Sequence, residues 1–227
     1  MLIYIEGNIG SGKSTFVRLL QNYLAKFATK PVLVQEPVDE WMETRDSDGS
    51  NILEKFYSDL PRWSFTFQMN SFISRGHKIQ KERTPDNNCD PFMLVERSIY
   101  TDRHCFAVNC FNSGQMTKME YDIYCKWNDW LSREFKLRPD GYIYLRCDPS
   151  VNTNRISKRS RDGEAGIPQE YLESLHQCHE DWMDTETKNG VPVLTIDVSE
   201  DFTSDEKMNS LFTKVKEFCE SVELNNN

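Results

Sequence analysis

Leu2-Ile3-Tyr4-Ile5-Glu6-Gly7-Asn8-Ile9-Gly10-Ser11-Gly12-Lys13-Ser14-Thr15 stands almost at the start of the chain. A short apolar run enters G-x-x-x-x-G-K-[ST], and Phe16, Leu20, Leu24 and Phe27 then follow three and four apart, as on one face of a helix. Strand, glycine-rich loop and helix in that order form a phosphate cradle. The loop turns its backbone N–H groups inward, with glycines where a Cβ would obstruct the anion. Gly7, Asn8, Ile9, Gly10, Ser11, Gly12, Lys13, Ser14 and Thr15 are therefore predicted to hold a nucleoside triphosphate. Lys13 would reach the β and γ phosphates and Ser14 would ligate Mg²⁺. The helix adds the positive end of its dipole to the same site.

Outward from this motif, short apolar runs alternate with longer amphipathic stretches. Leu2–Glu6, Val32–Gln35, Phe92–Val95, Tyr142–Arg146 and Val193–Ile196 have the character of strands buried on both faces. Helices are expected after the loop, over Trp63–Lys81, from Pro168 to about Thr185, and from Asp205 to about Val222. A further one opens at Thr117-Lys118-Met119-Glu120, which has the form of a capping box, and carries Trp127, Trp130 and Leu131. Strand followed by helix, five times over, predicts an α/β fold: a five-stranded parallel, doubly wound sheet flanked by helices. Thr44–Ser50 and Thr84–Pro91 are too short for interdomain linkers, so residues 1–227 are read as one domain.

Composition narrows the function. With 27 basic and 36 acidic residues among 227, the net charge is −9, which disfavours a nucleic-acid polymer or an anionic membrane as partner. No apolar run approaches the roughly 18 residues of a membrane span, and because Met1–Glu6 reads as a strand entering the fold at once, a signal or transit sequence is not expected. The seven cysteines, at 89, 105, 110, 125, 147, 178 and 219, include no C-x-x-C. A cytoplasmic protein with reduced thiols is the expectation. His176, Cys178 and His179 are too closely spaced on a helix to converge on a metal.

In a doubly wound sheet the ligand lies at the carboxyl ends of the strands. Glu36, before Pro37 at the end of the second run, is placed to accept a proton from an attacking hydroxyl. Glu96 ends the third run, at the position that holds Mg²⁺ in P-loop enzymes, and Arg97 beside it would clamp Glu36 or a substrate oxygen. Arg155, Lys158, Arg159 and Arg161 precede Gly166-Ile167-Pro168 and suggest a lid, about 155–167, whose arginines neutralise charge on the transferring phosphate.

These blocks, with Glu36-Pro37-Val38, Trp41, Arg62–Gln68, Glu96–Arg103 and Ile196–Phe202, make the chain closely resemble the cellular and viral deoxynucleoside kinases. The likeness is to the branch containing deoxycytidine and deoxyguanosine kinases, and it runs from about Leu2 to Val222. It implies a P-loop kinase fold and transfer of the γ-phosphate of ATP, with Mg²⁺, to the 5′-hydroxyl of a deoxynucleoside in nucleotide salvage. Glu36 would be the base, with Arg97 positioning the 5′ end and Arg155, Arg159 and Arg161 acting from the lid. Gln68 would read the nucleobase edge, walled by Trp41, Phe67 and Phe106. Tyr57 and Glu164 would bind the sugar 3′-hydroxyl, and Tyr57 would crowd a ribose 2′-hydroxyl. Glu200, Asp201 and Phe202 would border the donor adenine. Arg75 and Asp102 would pair near the base and favour deoxycytidine, deoxyguanosine or deoxyadenosine over thymidine. Asp162-Gly163 and Ala165 depart from the lid's usual acidic stretch, and Ser71 lies on the helix of Gln68 and Arg75. The helices near 63–81 and 117–136 are candidates for a homodimer interface.

Two rivals differ in the site. A thymidylate-kinase-type enzyme must bind an acceptor phosphate and would need a basic group where Glu36 stands. A catalytically inactive nucleotide-binding dimer would show damage at Lys13, Glu36, Glu96 or the lid arginines, and these residues are intact.

Overall fold

Strand β1 (Leu2–Glu6) is buried along its whole length because its side chains alternate between two cores. Leu2 and Tyr4 face one core, while Ile3 and Ile5 face the other. This is why the run is apolar throughout rather than at every second position. The structure is a computed structural model and describes residues 1–24, 31–83, 91–159 and 166–226.

From β1 the chain enters α1 (Lys13–Leu24), β2 (Val32–Val34), two short helices α2 (Val38–Glu43) and α3 (Ile52–Ser58), and the long α4 (Leu60–Glu82). Then come β3 (Met93–Glu96), α5 (Ile99–Thr101), a π-helical stretch (Asp102–Ala107), α6 (Val108–Asn112) and α7 (Lys118–Glu134). The chain ends with β4 (Gly141–Arg146), α8 (Pro149–Arg159), α9 (Gln169–Lys188), β5 (Val193–Asp197) and α10 (Asp205–Asn226). The described strands form one five-stranded sheet, ordered β2-β3-β1-β4-β5 and parallel at every pairing. The expected doubly wound sheet is present, with strand bounds within a residue or so of the apolar runs.

Phe16, Val17 and Leu20 of α1 and Phe212 and Val215 of α10 cover the Ile3/Ile5 face. Phe72 and Ile79 of α4, Tyr124 and Leu131 of α7, and Leu172, Leu175 and Trp182 of α9 cover the opposite face. The chain leaves β1 and β3 toward the same end of the sheet, and these strands are neighbours in the middle of it. That juncture is where a ligand cleft opens in such folds.

Helix α7 begins with the capping box read from the sequence, Thr117 and Glu120 each bonding the other's backbone N–H. A second box, Asn51 with Glu54, opens α3. Hydrophobic periodicity does not announce α2, α3 or the helical run from Ile99 to Asn112, since each segment is too short or too uniformly buried to show a polar face. Among the described residues no helix is long and apolar enough to cross a membrane. The six described cysteines are free thiols, and no cluster of metal-ligating side chains occurs among the described residues. His179 is a buried core group instead, its Nδ1 hydrogen-bonded to the Leu175 carbonyl at 2.7 Å. Of the expected lid, Arg155 and Arg159 lie on α8, whereas Arg161, Glu164 and the Asp162–Gly163 departure lie outside the described residues.

Candidate active site

The loop between β1 and α1 is held from behind. The Asn8 amide donates to the carbonyl of Leu172 on α9 at 2.8 Å and accepts the backbone N–H of Ile9. A Cβ on Gly7 would lie 2.7 Å from the Leu145 carbonyl oxygen, and one on Gly10 would lie 2.8 Å from that of Asn152. Both glycines also have positive φ, so no other residue fits without moving β4 or α8. Ile9, Gly10, Gly12, Lys13, Ser14 and Thr15 face a cavity of about 510 Å³, while Gly7, Asn8 and Ser11 support the loop. The Ser11 hydroxyl is buried with no partner.

Lys13 donates to the carbonyls of Gly7 and Asn8 at 2.8 and 2.7 Å. Burial, and next the charge of Arg97, pull its ammonium down to about 7, against the upward pull of Glu36, Glu96 and Glu6. One helical position on, the Ser14 hydroxyl donates to Glu96 Oε1 at 2.6 Å. A hydroxyl beside a carboxylate is a hard oxygen pair of the kind Mg²⁺ prefers.

Glu36, at the exit of β2, sits between two buried guanidinium groups. Arg75 Nη2 donates to its Oε1 at 2.6 Å, and Arg97 Nε lies 3.1 Å from the same oxygen. The Arg97 approach is a charge contact rather than an aligned hydrogen bond, which leaves Arg97 Nε and Nη1 without hydrogen-bond partners. Burial alone would raise the Glu36 carboxyl, but Arg75, Arg97 and Lys13 outweigh it and hold the group well below the usual carboxylate range.

Arg75 reaches onward. Its Nε donates to Asp102 Oδ2 at 2.8 Å, and Ser71 donates to Asp102 Oδ1 at 3.0 Å. The expected Arg75–Asp102 pair is present, and Arg75 also bridges Asp102 to Glu36. Burial opposes the charge on Arg75, yet Asp102 and Glu36 push its pKa further up. Asp102 and Phe106 both belong to the π-helical stretch, and both line the cavity. Helices with i→i+5 bonding are rare and recur at functional sites.

The remaining wall is aromatic. Trp41 and Phe67 meet edge to face at 5.4 Å, and Phe56 stacks behind Phe67 at 4.6 Å. The Trp41 indole N–H donates to Ser74 at 2.8 Å, and the Arg75 guanidinium lies 5.0 Å over its ring. Tyr57 lines the same space. Gln68 is buried, and neither its Nε2 nor its Oε1 has a partner. An orphaned amide facing an apolar cleft is a recognition group in search of a ligand.

At the loop end the cavity is bounded by Arg155, Lys158, Arg159, Asp201, Phe202 and Thr203. Arg155 donates to the carbonyls of Val198 and Glu200 at 2.8 and 3.3 Å, which ties α8 to the segment after β5. Glu200 departs from expectation: its side chain, 88 % exposed, pairs with Lys207 at 2.9 Å and stays outside the cavity wall. Sequence reasoning missed Leu53, Thr203 and Ser74. The Asn51–Glu54 box marks the helix that carries Leu53, but nothing in the local pattern marks the other two.

This sheet, with a phosphate cradle at its centre and an ionised carboxylate across one cavity from it, defines a P-loop kinase fold. The family model for deoxynucleoside kinases matches residues 3–220. The chain is 40 % identical over 246 residues to the deoxycytidine kinase of Mus musculus, covering 97 % of this chain and 91 % of that protein. It is 34 % identical over 233 residues to the mitochondrial deoxyguanosine kinase of Xenopus laevis, covering 94 % and 88 %. A probable deoxycytidine kinase of Fowlpox virus is 32 % identical over 223 residues, covering 97 % and 88 %. The chain belongs to the deoxynucleoside kinase family, in its deoxycytidine and deoxyguanosine kinase branch, and is a kinase.

Arg75→Met would leave Asp102 and Glu36 facing each other without their shared cation. The expected loss is about 3–5 kcal/mol in urea unfolding at pH 7, because breaking a buried pair strands a charge. Asp102→Ala in the same chain should recover part of it. A loss below about 1 kcal/mol would mean that solvent already screens the pair. Because the Glu36 pKa is depressed, its ion pairs stabilise the fold above the ordinary value of 4.5 and weaken as pH falls below it. Arg75→Met should therefore flatten the acid limb of the stability curve.

Proposed function

We propose that this kinase, as one cytoplasmic domain, transfers the γ-phosphate of MgATP to the 5′-hydroxyl of a deoxynucleoside in nucleotide salvage. Deoxycytidine, deoxyguanosine or deoxyadenosine would be preferred over thymidine. The observation that carries the reading is Glu36, an ionised carboxylate lining the same 510 Å³ cavity as the phosphate loop. A carboxylate suits a neutral hydroxyl acceptor and repels a monophosphate.

The Ser14 and Glu96 oxygens would hold magnesium, which when bound neutralises charge on the β and γ phosphate oxygens. Lys13 exchanges the Gly7 and Asn8 carbonyls for phosphate oxygens, and the loop N–H groups orient the chain of phosphates. Phe202, packed beneath Gly12, and Asp201 border the donor base. Arg155 braces that border, and Arg159 and Arg161 supply positive charge from the lid side.

At the acceptor end, Trp41, Phe67 and Phe106 sandwich the base, a source of affinity with little selectivity. The Gln68 amide offers one donor and one acceptor to an edge that presents the complement. Arg75 and Asp102 close the pocket with a polar, hydrogen-bonded pair, where a thymine methyl group would meet charge rather than an apolar wall. Tyr57 and Glu164 take the sugar 3′-hydroxyl, and Tyr57 crowds a 2′-hydroxyl. Arg97 Nη1 donates to the 5′ oxygen, and Glu36 accepts its hydrogen. Glu36 is a weak base while both arginines hold it. The loose transition state of phosphoryl transfer asks mainly for alignment, so weak basicity suffices.

We propose further that the enzyme is a homodimer. Met119, Ile123, Trp127 and Trp130 form an exposed apolar stripe along α7, and Ile73 on α4 is likewise exposed. An isologous contact on this face would cover the residues in both copies. Trp127→Glu with Ile123→Glu should shift the sedimentation coefficient to that of a monomer. An unshifted dimer would move the interface elsewhere.

The primary assay offers MgATP with the four deoxynucleosides, their monophosphates and cytidine. Turnover of deoxycytidine or a deoxypurine nucleoside with little thymidine activity is expected. Equal or better kcat/KM with thymidine would overturn the specificity argument, and turnover of monophosphates alone would overturn the reaction. Glu36→Gln should lower kcat by ~10²–10⁴ while nucleoside still binds. A loss under about tenfold would show that this carboxylate is not the base.

A further inference from the structure

Glu6 ends β1 immediately before the phosphate loop and is completely buried. Among the described residues no arginine or lysine forms an ion pair with it. A carboxylate is costly to bury on such terms, so its hydrogen bonds must matter. Its Oε1 accepts the backbone N–H of Ser98 at 3.0 Å, and its Oε2 accepts the hydroxyl of Thr101. Ser98 Oγ in turn accepts the N–H groups of Tyr100 and Thr101, each at 3.1 Å. Glu6, Ser98 and Thr101 thus close a ring of hydrogen bonds at the start of α5.

The ring surrounds an improbable piece of backbone. Arg97 has φ +64°, a left-handed conformation that a long side chain rarely adopts. Such a residue persists only where its surroundings over-determine it. Here β1 holds the N–H on each side of the bend: Arg97 N donates to the Ile5 carbonyl at 3.0 Å, and Ser98 N donates to Glu6. The bend decides where two side chains go. It follows Glu96, which meets Ser14, and it sends the Arg97 guanidinium over the Phe106 ring to Glu36. Glu6 itself does not line the cavity.

We infer that Glu6 is a positioning residue for phosphoryl transfer: its buried carboxylate, with Thr101, clamps the Arg97 bend and so aims Arg97 at the reacting end of the site. The inference rests on the proposed reaction for its kinetic arm, and the experiment separates the two. Glu6→Gln and Thr101→Val are assayed with MgATP and deoxycytidine, alone and combined with Arg97→Ala. In the wild-type background each should lower kcat by about 10–100-fold, with nucleoside KM changed by less than about twofold. In the Arg97→Ala background each should cost less than about a further twofold, because the group being aimed is gone.

Equal losses in both backgrounds, or a lowered Tm with kcat intact, would reduce Glu6 to a fold-stabilising residue. If Glu6→Gln fails to fold, Thr101→Val decides alone, since it cuts the clamp from the other side. A crystal structure of ligand-free Thr101→Val supplies an arm independent of activity. Arg97 should leave positive φ or withdraw from Glu36; an unchanged bend would overturn the inference. Absence of deoxynucleoside turnover in the wild-type enzyme would instead count against the proposed reaction.

Discussion

One guanidinium group, that of Arg75, holds together two ends of the cavity that would otherwise repel. Asp102, at the expected base-recognition end, and Glu36, at the expected transfer end, are both acids in a place largely removed from water. Burial pushes the Asp102 carboxyl up against the pull of Arg75, whereas Glu36 is held down by Arg75 together with Arg97 and Lys13. Arg75 is available because α4 runs the length of the site, and Gln68, Ser71, Ser74 and Arg75 recur on one face of that helix at offsets of three, six and seven. The same turns of helix thus supply the orphaned amide, the bond that fixes Asp102, the bond that fixes Trp41, and the bridge itself. On the proposed reading, recognition and chemistry would share a single rigid element, which suits a site that tolerates little misplacement.

The phosphate end is organised on a different principle. Its shape comes from backbone, held by glycines packed against β4 and α8 and by Asn8 anchored on α9. Its cation, Lys13, rests on the loop carbonyls of Gly7 and Asn8, and burial and Arg97 bring the ammonium down to about 7. On the proposed reading, a polyphosphate would bring negative charge to this buried ammonium and to the loop N–H groups.

The sequence made the centre of this molecule plain and its periphery obscure. The phosphate loop is legible because its function constrains consecutive residues, so the pattern survives in a string of letters. The five strands are legible because burial on both faces leaves uninterrupted apolar runs. Glu36, Glu96 and Arg97 follow from the rule that strand ends carry the site. What stayed hidden depends on distance through space. That Arg75 touches Glu36, thirty-nine positions away, has no local signature. Arg155, expected to act from the lid, also ties down the loop after β5, because the Val198 and Glu200 carbonyls lie within its reach, and no local pattern marks that contact. Glu200 looks like its neighbours Asp201 and Phe202, yet Lys207 draws it out to solvent. The π-helical stretch at Asp102–Ala107 could not be read at all, since one extra residue per turn leaves composition unchanged.

The pairing of Glu36 with two arginines bears on waste. A kinase that holds a nucleoside triphosphate without its acceptor is exposed to water, which can take the acceptor's place and discard the phosphate. Glu36 has its Oε1 already engaged by Arg75, and its suppressed basicity is the same toward water as toward a hydroxyl, so alignment has to separate the two. On the proposed reading, a nucleoside would bring a base to the orphaned Gln68 amide and a sugar that displaces solvent, and only then would a hydroxyl stand in water's place. An acceptor aligned in this way by its base and sugar would outcompete water, and futile hydrolysis would be limited by geometry rather than by the strength of the base.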